Sequence, residues 1–243
     1  AVHCRRFVWG SINMRSTIFA AAAALFLPVA AQATTIGFDA LDGTSGQTVP
    51  LPNFTEGGFT FAVTGDPLAN NSPGIAVFDT TCTGAACNGD VDLTPQSQGQ
   101  NGIEGNILIF QEGGSANTPD DAPGGGTFVL TLLDGPAFRF LGGSAIDDAT
   151  FDFGVRIGGV DTILGTINNG NVEGNDGGSD SITFVSDILN VGDSIIVTSS
   201  GSGGIDSLVL EAVPAVPVPA AMPLLVAGLA GFGFVARRKR KST

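Results

Sequence analysis

The sequence predicts an all-β fold, a jelly-roll-like antiparallel β-sandwich, flanked by an N-terminal signal peptide and one C-terminal transmembrane helix. Three observations carry the reading. Short runs of β-branched and aromatic residues recur between clusters of Gly, Asp, Asn and Pro, and several of them alternate apolar with polar residues. No stretch between residues 34 and 212 sustains helical periodicity over three turns. About ten short strands joined by glycine-rich turns, with no helices between them, pack as two antiparallel sheets.

The elements follow in chain order. Met14-Arg15-Ser16-Thr17 opens an apolar run to Ala31, and Ala31-Gln32-Ala33 is a small-x-small box. That layout is a secretory signal peptide, cut by signal peptidase after Ala33, so that residues 1–33 are a leader and the mature chain starts at Thr34. Residues 1–13 precede Met14, add nothing to the pattern and are read as a start assigned too early. One extracytoplasmic domain is expected over residues 34–212, long enough to bury a sizeable core. A first strand precedes Asp39, residues 59–63 alternate, and another strand ends beside Asp79. Residues 106–110 are an apolar run, and residues 127–132 and 149–157 alternate. Runs at 181–185, 194–198 and 207–210 complete the set.

Residues 213–243 form a linker, a short proline motif, an apolar run and a basic end. The motif is Val216-Pro217-Val218-Pro219-Ala220. The 17 residues from Ala220 to Ala236 would rise about 26 Å as a helix, just short of a bilayer core of about 30 Å. Arg237, Arg238, Lys239, Arg240 and Lys241 then stop transfer and stay cytoplasmic, which places the body outside.

Charge and composition exclude much chemistry. Residues 34–216 hold only Arg139 and Arg156 of the 10 Lys and Arg, but all 23 Asp and Glu, so their formal charge is 2 − 23 = −21 against −13 for the chain. Nucleic acid is repelled by such a body and cations are attracted. The only His and the only Trp are His3 and Trp9, Tyr is absent, and the body has no Lys. Ser-His-Asp, Cys-His, Schiff-base and His-metal sites therefore cannot be built in it. Carboxylate chemistry remains, as in glycoside hydrolases, without the Trp or Tyr walls such sites usually carry. The body is expected not to be an enzyme, the alternative being a secreted carboxylate-dependent polysaccharide hydrolase.

Cys82 and Cys87, four residues apart in an oxidising compartment, are expected to form a disulfide; two thiols leave a soft metal incompletely ligated, and the spacing is wider than Cys-x-x-Cys. Calcium takes six to eight oxygens, usually from loops. Asn88, Asp90 and Asp92 alternate, so in an extended segment they point one way, and Asp79 and Glu112 at strand ends could complete a shell. Asp39 after the first strand and Asp206 in the last form a second candidate, since the first and last strands of a jelly roll often lie together. Each of these acids also reads as ordinary turn chemistry. The acidic loop 173–180 lacks EF-hand spacing, and Gly124-Gly125-Gly126 lacks the lysine and helix of a phosphate loop. Asp147-Asp148 adjoin a strand containing Asp152, and Asp120-Asp121 form a second acidic pair; adjacent carboxylates can yield an acid and a base, but neighbours on a strand face opposite ways.

The tail resembles the PEP-CTERM class of bacterial sorting signals, in the variant that reads Val-Pro-Leu-Pro-Ala, with Val218 in place of Leu. The body resembles jelly-roll ectodomains of exported bacterial proteins with such tails, through Phe78-Asp79-Thr80, Gly89-Asp90-Val91-Asp92-Leu93, Gly105-Asn106-Ile107-Leu108-Ile109-Phe110-Gln111-Glu112, Asp120-Asp121 and Gly201-Ser202-Gly203-Gly204-Ile205-Asp206-Ser207-Leu208. The resemblance implies that an exosortase, a membrane-embedded protease, recognises residues 216–220, and that the protein passes from the inner membrane to the cell surface or an extracellular polysaccharide matrix. It implies a substrate of sorting whose body stands among extracellular polysaccharide, a candidate ligand; calcium as a candidate cofactor comes from the acidic residues above and not from the resemblance. It assigns no catalytic residue.

Overall fold

Alternation along the strands divides the chain into two stacked sheets. The computed structural model describes residues 32–41, 53–67, 74–80, 93, 105–111, 124–146, 149–168 and 179–214. Thirteen strands lie among them: β1 (Ala33–Ile36), β2 (Phe54–Glu56), β3 (Phe59–Pro67), β4 (Gly74–Asp79), β5 (Asn106–Gln111), β6 (Gly126–Asp134) and β7 (Phe138–Ile146), followed by β8 (Thr150–Ile157), β9 (Val160–Asn168), β10 (Ser179–Thr183), β11 (Ile188–Leu189), β12 (Ser194–Ser199) and β13 (Gly204–Ala212). The first sheet runs β10-β7-β13-β5-β4, with β1 also on β13 and β11 on β7; the second runs β2-β3-β6-β12-β8-β9. Every pairing is antiparallel. No helix lies among the described residues, and the span expected at residues 220–236 lies outside them.

The core fills the space between the sheets. On β6, Phe128, Leu130 and Leu132 are buried while Thr127, Val129 and Thr131 between them are half-buried, the period of two that puts one face inside. Phenylalanine rings do much of the filling. Phe110 and Phe128 lie 4.2 Å apart across the sheets, and Phe59 meets Phe138 edge to face at 5.3 Å. β4 and β5 read instead as continuous buried runs, because Phe78, Ile107 and Ile109 face a second small cluster that includes Leu93 and Ile146.

Two details differ from the sequence reading. The run expected at 181–185 is a strand only from Ser179 to Thr183. Phe184 leaves it to pack edge-on against Phe140 at 4.9 Å, and Val185 is exposed. β7 and β9, like the short β2 and β11, were not expected. Gly142 and Gly143 interrupt the pattern of β7, and a side chain on Gly142 (φ +150°) would strike the carbonyl of Ile182 on β10. β9 is an edge strand whose first residues are exposed, so it carries little alternation to read.

Candidate functional site

The last strand changes neighbours halfway along. On one side β13 pairs with β5 through Gly204–Ile109 and Ile205–Leu108, and with β1 from Leu208–Ile36 to Glu211–Ala33. β1 and β5 are thus collinear, and the notch where one ends and the other begins faces Asp206 and Ser207. The pairing of β13 with β7 shifts register at this level, between Asp206 and Val209. Phe38 and Ser207, the two non-glycine residues with positive φ (59° and 51°) among those described, lie on either side of the notch. Backbone strain of this kind persists only where surrounding structure holds it.

Three carboxylates converge here. A side-chain carbon built on Gly37 would lie 3.5 Å from Asp39 Oδ2, 3.8 Å from Asp206 Oδ1 and 3.9 Å from Glu56 Oε1. Each acid accepts at least one hydrogen bond. The amides of Gly37 and Phe38 donate to Glu56 Oε1 and Oε2, both at 3.0 Å. The Asn106 amide donates to Asp39 Oδ1 at 3.2 Å, and Asn106 Nδ2 donates to the Leu41 carbonyl at 2.6 Å, holding the turn after β1. Ser207 Oγ donates to Asp206 Oδ2 at 2.8 Å. Gly105 (φ +99°) makes room, because a side chain there would strike Asp39 Oδ1.

Access differs among the three. Asp206 is 2% exposed and its Oδ1 has no hydrogen-bond partner, whereas Asp39 is exposed and Glu56 half-buried. Burial pushes the Asp206 carboxyl up to about 7 against the lowering effect of Ser207, and the charges of Asp39 and Glu56 add to the rise. A raised carboxyl could in principle serve as a general acid, but such a group must reach the leaving oxygen of a substrate, and Asp206 is enclosed.

Of the residues expected to bind an ion, the structure brings Asp39 and Asp206 together and adds two that sequence reasoning missed, Glu56 and Asn106. Glu56 comes from the second sheet, delivered by the β2–β3 hairpin, and its only sequence signal is the Gly57-Gly58 turn after it. Asp79 stands at the end of β4, in register with Asn106. Asn88, Asp90, Asp92, Glu112, Cys82, Cys87, the motif 216–220 and the cations 237–241 lie outside the described residues. Among the described residues no group of three or more His, Cys, Asp or Glu is placed to hold a metal ion as it stands. From the point above Gly37 each oxygen is about 1 Å or more farther than a calcium ligand, so Asp39, Glu56 and Asp206 are gathered but not closed.

The outer face of the second sheet is polar. Thr127 and Thr198 hydroxyls lie 3.0 Å apart, Thr131 and Ser194 lie 2.9 Å apart, and Thr166 Oγ1 donates to Asp152. Arg156 forms a two-pronged ion pair with Asp161 at 2.6 and 2.8 Å, which holds the Asp161 carboxyl below its usual range.

No family model and no curated protein matches the sequence. Among solved structures, the chain is similar to a family 29 carbohydrate-binding module complexed with mannohexaose, at 12% identity and a TM-score of 0.33, over 75% of this chain and 93% of that one. It is also similar to the C-terminal family 6 module of LamC, a marine laminarinase from Zobellia galactanivorans (11%, 0.32, 74% and 99%), and to a family 61 module in complex with β-1,4-galactotriose (14%, 0.33, 67% and 100%). Likeness at this level says nothing of what this chain binds.

Proposed function

We propose that this chain is an exported, non-enzymatic protein of the cell surface or extracellular matrix, delivered by signal peptidase and an exosortase-type membrane protease. The observation that carries the reading is the tail: Val216-Pro217-Val218-Pro219-Ala220, an apolar run of membrane-spanning character, and the Arg237–Lys241 cations. The register is compatible with it. Ala33, where the leader would be cut, pairs with Glu211, so the start of the mature chain and the residue five before the motif lie side by side at one end of the first sheet. The body would then stand off the membrane from that end.

Contact with matrix polysaccharide falls in this reading to hydroxyl and carboxylate groups, because the body has no Trp or Tyr to stack on sugar rings. Half-buried Thr127, Thr131, Thr198 and Asp152 on the outer face of the second sheet carry such groups. The hydrolase alternative gains nothing from Asp206, whose raised carboxyl is buried.

The test is expression of the chain, tagged after Thr243, in a host with an exosortase and in an otherwise identical host without one. The expected result is loss of the tag and release of the body from the inner membrane only when the exosortase is present, with Pro217→Ala/Pro219→Ala retaining the tag. A tag kept or lost equally in both hosts overturns the sorting assignment.

A further inference from the structure

Among the described residues, no counter-charge stands against the carboxylates at the β13 notch. Arg139 and Arg156 are the only cationic side chains among the described residues; Arg139 Nη1 donates to the Ser186 carbonyl and Arg156 is paired with Asp161. Neither is among the hydrogen-bond partners of Asp39, Glu56 or Asp206. Buried carboxylates are as a rule paired, hydrogen-bonded or bound to metal. Asp206, 2% exposed, presents an Oδ1 with none of these to the side of Gly37 on which Asp39 Oδ2 and Glu56 Oε1 also lie.

We propose that Asp39, Glu56 and Asp206 bind a divalent cation, Ca2+ by the chemistry of the donors, in the notch where β13 exchanges β5 for β1. The donor set is all oxygen, which suits a hard cation. Backbone amides hold Glu56 and Asp39, and a carboxylate that accepts such bonds still has lone pairs for an ion. Asp39 is exposed, which gives both an entry path and freedom to close the remaining distance, while water completes the shell. Ca2+ accepts six to eight ligands in irregular arrangement, whereas Mg2+ demands a near-ideal octahedron, which a cradle built from a turn, a hairpin end and a bulged strand does not offer. Bound there, the ion ties the turn after β1, the β2–β3 hairpin of the second sheet and the last strand into one unit. The site stands independently of the sorting tail.

The experiment uses the full chain, purified in detergent, stripped with EDTA and melted by circular dichroism in 0.15 M NaCl with EDTA, CaCl2 or MgCl2. Ca2+ at a hundredfold excess over its dissociation constant is expected to raise the midpoint by about 5–10 °C, with Mg2+ doing less. Asp206→Asn is expected to abolish the calcium-dependent rise while melting in EDTA no lower than the parent, since an amide needs no counter-charge. Equal parental midpoints in EDTA and CaCl2 overturn the proposal. A full calcium response in Asp206→Asn also overturns it, placing any ion elsewhere, as in the acidic segment around Asp90. Should Asp206→Asn fail to fold, Asp39→Asn, altered at an exposed position, must lose the response in its place, and retention there overturns the site.

Discussion

Asp206 presents two unlike oxygens to the interior: Oδ2 accepts from Ser207 Oγ, and Oδ1 accepts from nothing. Without an ion, burial and the neighbouring acids hold its carboxyl near 7, well above the unfolded value of about 3.9. Between those two pH values the folded chain keeps a proton that the unfolded chain has released. Stability from this group is therefore full below about pH 4 and is lost as pH rises through 7. In EDTA the melting midpoint is expected to fall from pH 5.5 to pH 8, and Asp206→Asn to flatten that slope; a parental midpoint that rises over the interval contradicts the assignment. No histidine lies among the described residues to blur the window. The sequence singled out Asp206 as a partner for Asp39 in the last strand of a jelly roll, but not that it is buried. Its burial depends on β13 lying between β7 on one side and β1 and β5 on the other, which no local pattern records.

At the scale of elements, the bridge after β10 shows how irregular backbone is held against a sheet. Ser186 Oγ accepts from the buried Phe140 amide at 2.8 Å and donates to the Asp187 carbonyl, while the Ser186 amide donates to the Phe140 carbonyl. Arg139 Nη1 reaches the Ser186 carbonyl at 2.8 Å. Removing the hydroxyl leaves the Phe140 amide buried without its acceptor, so Ser186→Ala is expected to cost about 1–3 kcal/mol in urea unfolding. Val185→Ser next to it, at a position 67% exposed, is expected to leave the midpoint unchanged. Equal effects at the two positions would remove the bridge from the stability of the fold. The alternating strands β6 and β8 were readable because one face meets Phe side chains and the other meets water. β9 was not readable, because an edge strand with its first residues exposed imposes no period.

Over the whole molecule, like charge opposes compaction. The body carries 23 acids against Arg139 and Arg156, and repulsion among exposed carboxylates is screened over about 10 Å at 0.1 M salt. Raising NaCl from 10 to 300 mM in EDTA is expected to raise the melting midpoint in both the parent and Asp206→Asn. A calcium response that survives at the higher salt is then distinguished from general screening, and a midpoint that falls with NaCl would show that self-repulsion does not limit this fold. The same charge explains why the notch carboxylates have no ion-pair partner: no lysine exists in the body to supply one.

By itself, the sequence determined what depends on local order. Alternation set the all-β class, composition removed imidazole and amine chemistry, and the spacing of a proline motif, an apolar run and five cations raised the expectation of a sorted membrane tail. Only the tertiary structure decided the site. Asp39 and Asp206 meet because β1 and β13 pair, Asn106 joins them because β5 continues the line of β1, and Glu56 arrives from the other sheet. Side-chain periods are set by neighbours within a few residues, whereas the convergence of residues 39, 56, 106 and 206 is set by strand register between segments far apart in the chain.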